Sequence, residues 1–257
     1  MITSTSNPRV KWVHALQTKR RARQEDAAFV IEGIRLAREA VAAEIPSRLV
    51  LFTDHLDDRG RGLVNSLARL GAEIETVTDN VMAACSSTDT PPGLLAVLSV
   101  PHLSVPSSLE LALVADGLAD PGNLGSLLRT AVAAGVQAVF LTPTTVDAYN
   151  PKVVRGAMGG HFHLPIVETD VESLGEHLSG LDIWLAEARL GQLYHRVDWR
   201  RPTALVIGGE ASGPSQALRS LSKGQVQIPM VAGTESLNAA VAAAVILFEI
   251  VRQRGRP

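Results

Sequence analysis

Three clusters of polar and glycine residues each follow an apolar run, where an α/β sheet holds ligands beyond the carboxyl ends of its strands. The first is Asp120-Pro121-Gly122-Asn123-Leu124-Gly125-Ser126-Leu127-Leu128-Arg129-Thr130-Ala131, directly after LALVADG. Asn123 is placed to cap a helix whose next turns carry Arg129, which would fix an amide and a guanidinium near the sheet edge. Taken alone, this is also what an ordinary N-cap and a surface arginine look like. In the second, Leu205-Val206-Ile207-Gly208-Gly209-Glu210-Ala211-Ser212-Gly213-Pro214, a buried strand ends in glycines and a carboxylate. The glycines allow backbone amides to approach a ligand closely, and Pro214 suits the first turn of the next helix. The third is Ile228-Pro229-Met230 with Thr234-Glu235-Ser236-Leu237-Asn238, before a nearly all-apolar helix. Ser236 and Asn238 there are caps on one reading and ligand contacts on the other.

The familiar nucleotide and nucleophile signatures do not account for these clusters. Neither apolar strand opening is followed by GxGxxG, which argues against a dinucleotide-dependent oxidoreductase. Gly208 to Gly213 has the spacing of a phosphate loop, but Pro214 stands where the lysine is required, so the triphosphate charge is not met. Ser212 is not spaced as a GxSxG elbow. His161 and His163, at i and i+2, would share one face of a strand. They lack a third ligand nearby, and no metal is expected. Cys85 has no partner histidine recognisable from sequence, so it is not assigned as a nucleophile. What remains is a glycine-rich turn that holds a carboxylate.

The elements that must position these residues alternate. FVIE reads as a strand, Gly33 to Glu44 as an amphipathic helix, RLVLFT as a strand and Arg59 to Leu70 as a helix, with EIETV and LLAVLSV completing a first unit. PHLSVPSS at 101–108 has two prolines and three serines without periodicity and reads as a linker. The expected organisation is thus a domain at 1–100, the linker, and a second domain at 109–257. In the second, LALVADG, QAVFLT, HFHLPIV, DIWLAEA, TALVIGG and QVQIP are strands. Helices are expected near 122–135 and 151–158, after Pro214, and from about Ser236 to Gln253. Such alternation predicts an α/β fold with a mostly parallel sheet.

At 257 residues and 46% apolar, the chain can build sizeable cores, and two domains are the natural expectation. A net charge of -2 excludes a uniformly basic nucleic-acid binder, so any such surface must be local. The strongest asymmetry is Arg9, Lys11, Lys19, Arg20, Arg21 and Arg23, a run with no acid, which reads either as a solvated helix face or as a phosphate-contacting arm. One cysteine points to a reducing compartment. MITSTSNPRVKW lacks an apolar h-region, and no apolar run is long enough to span a bilayer. Cytoplasmic localisation without a membrane partner is expected.

Together, in this order, the clusters resemble the three motifs of the SpoU/TrmH-type RNA ribose 2'-O-methyltransferases of the SPOUT superfamily: N-x-G-x-x-x-R-x-A from Asn123, G-x-E-x-x-G from Gly208, and I-P-M followed by S-L-N from Ile228 to Asn238. Asn150-Pro151-Lys152-Val153-Val154-Arg155 and His161-Phe162-His163-Leu164-Pro165 extend the resemblance. Asn7-Pro8-Arg9-Val10-Lys11 and Phe29-Val30-Ile31-Glu32-Gly33 resemble the family's substrate-binding domain. The chain departs from the family pattern at Ala157 and Gly160.

The resemblance implies a ribosomal-protein-like α/β domain for RNA and a methyltransferase domain of the α/β-knot type, with a deep trefoil knot. Knots are rare enough that periodicity could not suggest one. It implies S-adenosylmethionine as cofactor, bound near Gly208, Gly209, Ile228, Met230, Leu237 and Ala186, and a homodimer formed through the catalytic domain. Arg129 takes the place of the catalytic arginine. Asn123, Glu210, Ser236 and Asn238 fall around the ribose and cofactor. The basic run and Arg155 become RNA contacts. Ribosomal RNA, 23S rRNA in particular, is the expected substrate, with tRNA or a non-catalytic RNA-binding module of the same fold as alternatives.

Overall fold

The computed structural model describes residues 1–210, 212–231 and 235–255. Ala211 and Thr234, which fall within two of the motifs, lie outside the described residues. By its packing the chain divides into two units: Met1–His102 with Tyr149–Phe162, and Leu103–Ala148 with His163–Pro257.

The first unit runs α1 (Pro8–Thr18), α2 (Arg20–Asp26), β1 (Ala28–Glu32), α3 (Ile34–Ala42), β2 (Ser47–Phe52), α4 (Asp58–Arg69), β3 (Glu73–Thr76), α5 (Asp79–Cys85) and β4 (Leu94–Ser99). The strand order is β1-β4-β2-β3. β2 and β3 are parallel, but β4 lies between β1 and β2 and is antiparallel to both, so this sheet is mixed rather than mostly parallel. Strand–helix alternation sets the layering; it does not set the direction of a closing strand that inserts between two earlier ones.

The basic run folds as two helices. Asn7 caps α1 by accepting from the Arg9 amide at 2.9 Å, with Pro8 at the first helical position. Val10, Val13 and Leu16 then face Val81, Met82 and Cys85 of α5 in a shared core. Burial there raises the Cys85 thiol to about 11, with Glu32 adding to the shift.

The second unit opens with β5 (Leu111–Asp116), α6 (Pro121–Ala133) and β6 (Ala138–Leu141). The chain then contributes α7 (Pro151–Ala157) to the first unit before continuing with β7 (Ile166–Glu168), α8 (Val171–His177), β8 (Asp182–Glu187), β9 (Gln192–Leu193), β10 (Thr203–Gly208), α9 (Gln216–Leu221), β11 (Gly224–Gln227) and α10 (Ala239–Gln253). The seven strands, ordered β7-β6-β5-β10-β8-β11-β9, pair in parallel throughout. β5 and β10 at its centre are Val-, Leu- and Ala-rich and buried almost end to end, as strands covered on both faces require.

Two expectations are corrected here. The segment 149–162 does not belong with the second domain: Val154 and Phe162 enter a core with Phe29, Ile31 and Leu36, and the Phe29 ring lies 5.0 Å from Tyr149 and 6.4 Å from Phe162. Nothing in the alternation or composition marks this excursion, because α7 reads like any other crossover helix. His161 and His163 do not share a strand face either. Gly160–Phe162 forms a 3-10 turn after Gly159, whose φ is +94°. His161 is buried beside Phe29 and Tyr149, whereas His163 is exposed. Among the described residues, no cluster of three or more His, Cys, Asp or Glu could hold a metal, and no helix is long and apolar enough to cross a membrane.

Phe162→Ala should destabilise the first unit by about 3 kcal/mol, despite lying 60 residues beyond His102, where that unit's first segment ends, as thermal unfolding would register. Cys85 should resist thiol reagents at pH 8 until the protein unfolds. Its folded value of about 11 exceeds the model-peptide value of 9.0, so its contribution to stability is constant below pH 9.0 and is lost as pH rises toward 11.

Candidate active site

β10 ends in a loop that turns back on itself. Gly209 and Gly213 form an antiparallel bridge, the Gly213 amide donating to the Gly209 carbonyl at 2.9 Å, and Gly213 adopts φ +63°. The crossing is tight. A β-carbon on Gly208 would sit 2.2 Å from the Gly213 carbonyl carbon and the Pro214 nitrogen, and one on Gly209 would sit 2.5 Å from the Gly117 carbonyl oxygen. Glycine is required at both positions by backbone contact. Pro214 ends this loop instead of opening a helix: α9 starts at Gln216 with Ser215 as its N-cap residue, because Pro214 is committed to the crossing.

Beside the loop is a cavity of about 440 Å³. Its walls come from the ends of β8 and β10, from the stretch after β11 and from the start of α10. They include Ala186, Gly208, Gly209, Ile228, Met230 and Leu237, the six residues assigned to the cofactor, together with Glu210, Ser236 and Asn238. Ile207, Ala242 and Ile246 add apolar surface. The size and the mixture of aliphatic side chains with glycine backbone suit an adenosine-sized group.

A directed chain of side-chain hydrogen bonds crosses one edge of this site. Asn238 caps α10, its Oδ1 accepting from the Ala240 and Val241 amides at 3.0 and 3.2 Å. That fixes which end of its amide donates, and Nδ2 donates a hydrogen bond to Asn123 Oδ1 at 2.7 Å. Asn123 Nδ2 in turn donates to Glu210 Oε1 at 2.7 Å. One residue from each motif is thereby locked to the next. Helix α10 starts at Ala239, later than expected, since Asn238 is its cap.

Asn123 is free for this role because it does not cap its own helix, which corrects the sequence reading. Pro121 opens α6 and Asp120 is the N-cap, its Oδ1 accepting from the Asn123 amide at 2.8 Å. A carboxylate next to a proline at the first helical position is the stronger cap, and it leaves the amide three residues later unspent. Arg129 lies further along α6, about 9 Å along the axis from Asn123 at 1.5 Å per residue. It is exposed, does not line the cavity, and has no hydrogen bond or ion pair among the described residues.

The basic run is only partly available for phosphate. Arg9 pairs with Glu73 and Glu75, Arg21 pairs with Glu25 at 2.6 Å, and Arg23 is buried with its guanidinium on the Leu16 carbonyl at 2.6 Å. Arg23 is therefore a structural residue, contrary to the sequence reading. Arg20 is half-buried, while Lys11 and Lys19 are exposed. Spacing shows charges, not the acids that folding brings beside them. Arg155 bonds Ser87 and stands 4.0 Å from the buried Glu32 carboxylate within the first unit, with about a third of its side chain exposed. The sequence reading missed Glu187, which lines the cavity from the end of β8 and pairs with Arg219 at 2.5 Å. Its signal was a carboxylate at the carboxyl end of a buried strand.

Known proteins share both the sequence and this architecture. Residues 110–248 match the family model of the SpoU rRNA methylase family, and residues 7–96 match that of the MRM3-like substrate binding domain. An uncharacterized tRNA/rRNA methyltransferase of Synechocystis is 35% identical, with 98% of this chain and 94% of that protein covered. The 23S rRNA guanosine-2'-O-methyltransferase of Bacillus subtilis is 32% identical, covering 97% and 98%. The crystal structure of a SpoU methyltransferase from Streptomyces viridochromogenes with S-adenosylmethionine superposes with a TM-score of 0.87 at 29% identity, covering 97% and 99% of the two chains.

Two glycine-to-alanine exchanges should separate backbone crossing from helix propensity. Gly208→Ala should destabilise by about 3 kcal/mol through overpacking against Gly213 and Pro214. Gly62→Ala, in α4 with nothing within 4 Å, should instead stabilise by up to about 1 kcal/mol. Denaturant unfolding of the two variants measures both signs.

Proposed function

The chain belongs to the SpoU rRNA methylase family, and on that premise we propose that it transfers a methyl group from S-adenosylmethionine to a ribose 2'-hydroxyl of 23S ribosomal RNA. The observation that carries this reading is that the second and third motifs line one cavity and the first is tied to both at its edge by the Asn238–Asn123–Glu210 chain. The choice of rRNA is supported by an end-to-end match to a 23S rRNA enzyme and by the match of residues 7–96 to a substrate-binding domain.

S-adenosylmethionine would supply a methyl group on a positively charged sulfur, and the backbone of Gly208, Gly209, Ile228 and Leu237 with the apolar faces of Ala186 and Met230 would hold it. The protein's task is orientation: the hydroxyl oxygen must lie in line with the carbon–sulfur bond that breaks, and its proton must be accommodated. Glu210 Oε1 is occupied by Asn123, which leaves Oε2 to accept a hydrogen bond from the ribose hydroxyl. Ser236 lies on the same wall to hold ribose or cofactor oxygens. Arg129, exposed and without a hydrogen bond or ion pair among the described residues, binds the phosphate of the target nucleotide as a guanidinium. Lys11, Lys19 and the exposed part of Arg155 contact more distant RNA phosphates, a salt-sensitive and sequence-blind contribution.

The catalytic unit works as a homodimer on this reading, supported by the apolar side chains that α10 leaves exposed, Val241 at 49% and Phe248 at 50%, seven residues apart on one helix face. The family's deep trefoil knot is the topology we infer for the unit; the doubling back of the loop after Gly208 is compatible with it. A cytoplasmic location is part of the same reading.

Labelled methyl should pass from S-adenosylmethionine to a single 2'-O position in unmodified 23S rRNA and not to tRNA. Arg129→Ala should lower the rate about 100-fold while leaving S-adenosylhomocysteine affinity intact. Label in tRNA alone would overturn the substrate, and absence of label despite cofactor binding to free rRNA and assembled subunits alike would overturn the activity. Replacing Val241 and Phe248 together with glutamate should halve the sedimenting mass.

A further inference from the structure

Asp116 lies behind the glycine loop without lining the cavity. It is the last residue of β5, 6% exposed, and stands in register with Gly208 of β10. Its backbone carbonyl accepts from the Gly209 amide at 2.8 Å, where the loop departs. Its Oδ2 accepts from the Ser215 amide at 2.6 Å, where the loop returns. Its Oδ1 accepts from the Thr142 hydroxyl at 2.9 Å, and Thr142 Oγ1 itself receives the Gly117 amide at 3.1 Å. The chain between the two fastenings supplies Gly209, Glu210, Ser212 and Gly213 to the cavity wall.

The partners of this carboxylate are amide and hydroxyl donors rather than a cation. Burying a charge is tolerated only when hydrogen bonds replace water, and bonds to a charged acceptor are stronger than those between neutral groups. A site that needed only packing would take an apolar residue at a strand end otherwise filled with Leu, Ala and Val. We propose that Asp116 is a positioning residue for cofactor binding: by holding the Gly209 and Ser215 amides together it sets the loop as a finished wall before S-adenosylmethionine arrives. Preorganisation of this kind raises affinity by removing the ordering penalty from the binding step. The inference rests on the assignment of the cavity to the cofactor.

Three substitutions in the full chain test it. Ser215→Pro deletes the donated N–H, with Ser215→Ala as the control for loss of the hydroxyl, and Ser215 has φ -64°, the value proline imposes. Asp116→Ala removes the acceptor. Asp116→Asn retains an oxygen for the Ser215 amide and can donate to Thr142 Oγ1. Two quantities are read: the S-adenosylhomocysteine Kd by calorimetry, and amide hydrogen exchange across 208–215 in the unliganded protein.

Ser215→Pro and Asp116→Ala should weaken binding at least about tenfold and speed loop exchange, with kcat at saturating cofactor nearly kept. Asp116→Asn should stay within about threefold of the parent. Should Asp116→Ala fail to fold, Ser215→Pro carries the test. Folded Ser215→Pro with parental affinity and parental exchange would overturn the proposal, as would an Asp116→Asn protein as impaired as Asp116→Ala. Faster exchange with an unchanged Kd would also overturn it, in a recognisably different way, by moving the cofactor out of this cavity.

Discussion

The second unit depends on one steric fact: two backbone segments cross near Gly208 with no room for a β-carbon. From that contact follow the return of the chain at Gly213, the commitment of Pro214 to the loop, and the placing of Glu210 at the rim where Asn123 reaches it. The hydrogen bonds around the site refine a geometry that this excluded volume has already imposed. A glycine pair after a buried strand is therefore a packing requirement first and a ligand contact second.

The polar chain shows how a binding site can be made specific with few groups. An asparagine amide is ambiguous in isolation, since either end can face a partner. Asn238 loses that ambiguity because two helix amides claim its oxygen, and the assignment passes to Asn123 and on to Glu210. The helix start of α10 thus orients a carboxylate that belongs to the loop after β10. Residues separated by more than a hundred positions act as one polarised unit.

Much of this was legible before folding was considered. The strands from β5 onward, the two-residue edge strand β9 excepted, are visible as apolar runs, and the motif residues at Gly208, Ile228 and Leu237 line one cavity. What escaped notice did so for physical reasons. A cap is chosen by competition, and Asp120 beside Pro121 outcompetes Asn123. A basic run announces positive charge, but Glu73 and Glu75 reach Arg9 only through the pairing of β3 with β2. Asp116 and Glu187 carry no sequence signal beyond an acid at the end of an apolar run, because their partners, Ser215 and Arg219, come alongside only in the fold.

The excursion at 149–162 changes what the word linker means for this chain. Because the second unit is interrupted by a piece of the first, the backbone passes between units at 102/103, at 148/149 and at 162/163. A single cut in the proline-rich stretch at 101–108 leaves the 149–162 piece of the first unit on the fragment that carries the second. As grouped by packing, neither unit corresponds to one uninterrupted stretch of sequence. Recombination at the stretch that looks like a boundary would carry Val154 and Phe162 away from Phe29 and leave that core without two of its buried side chains.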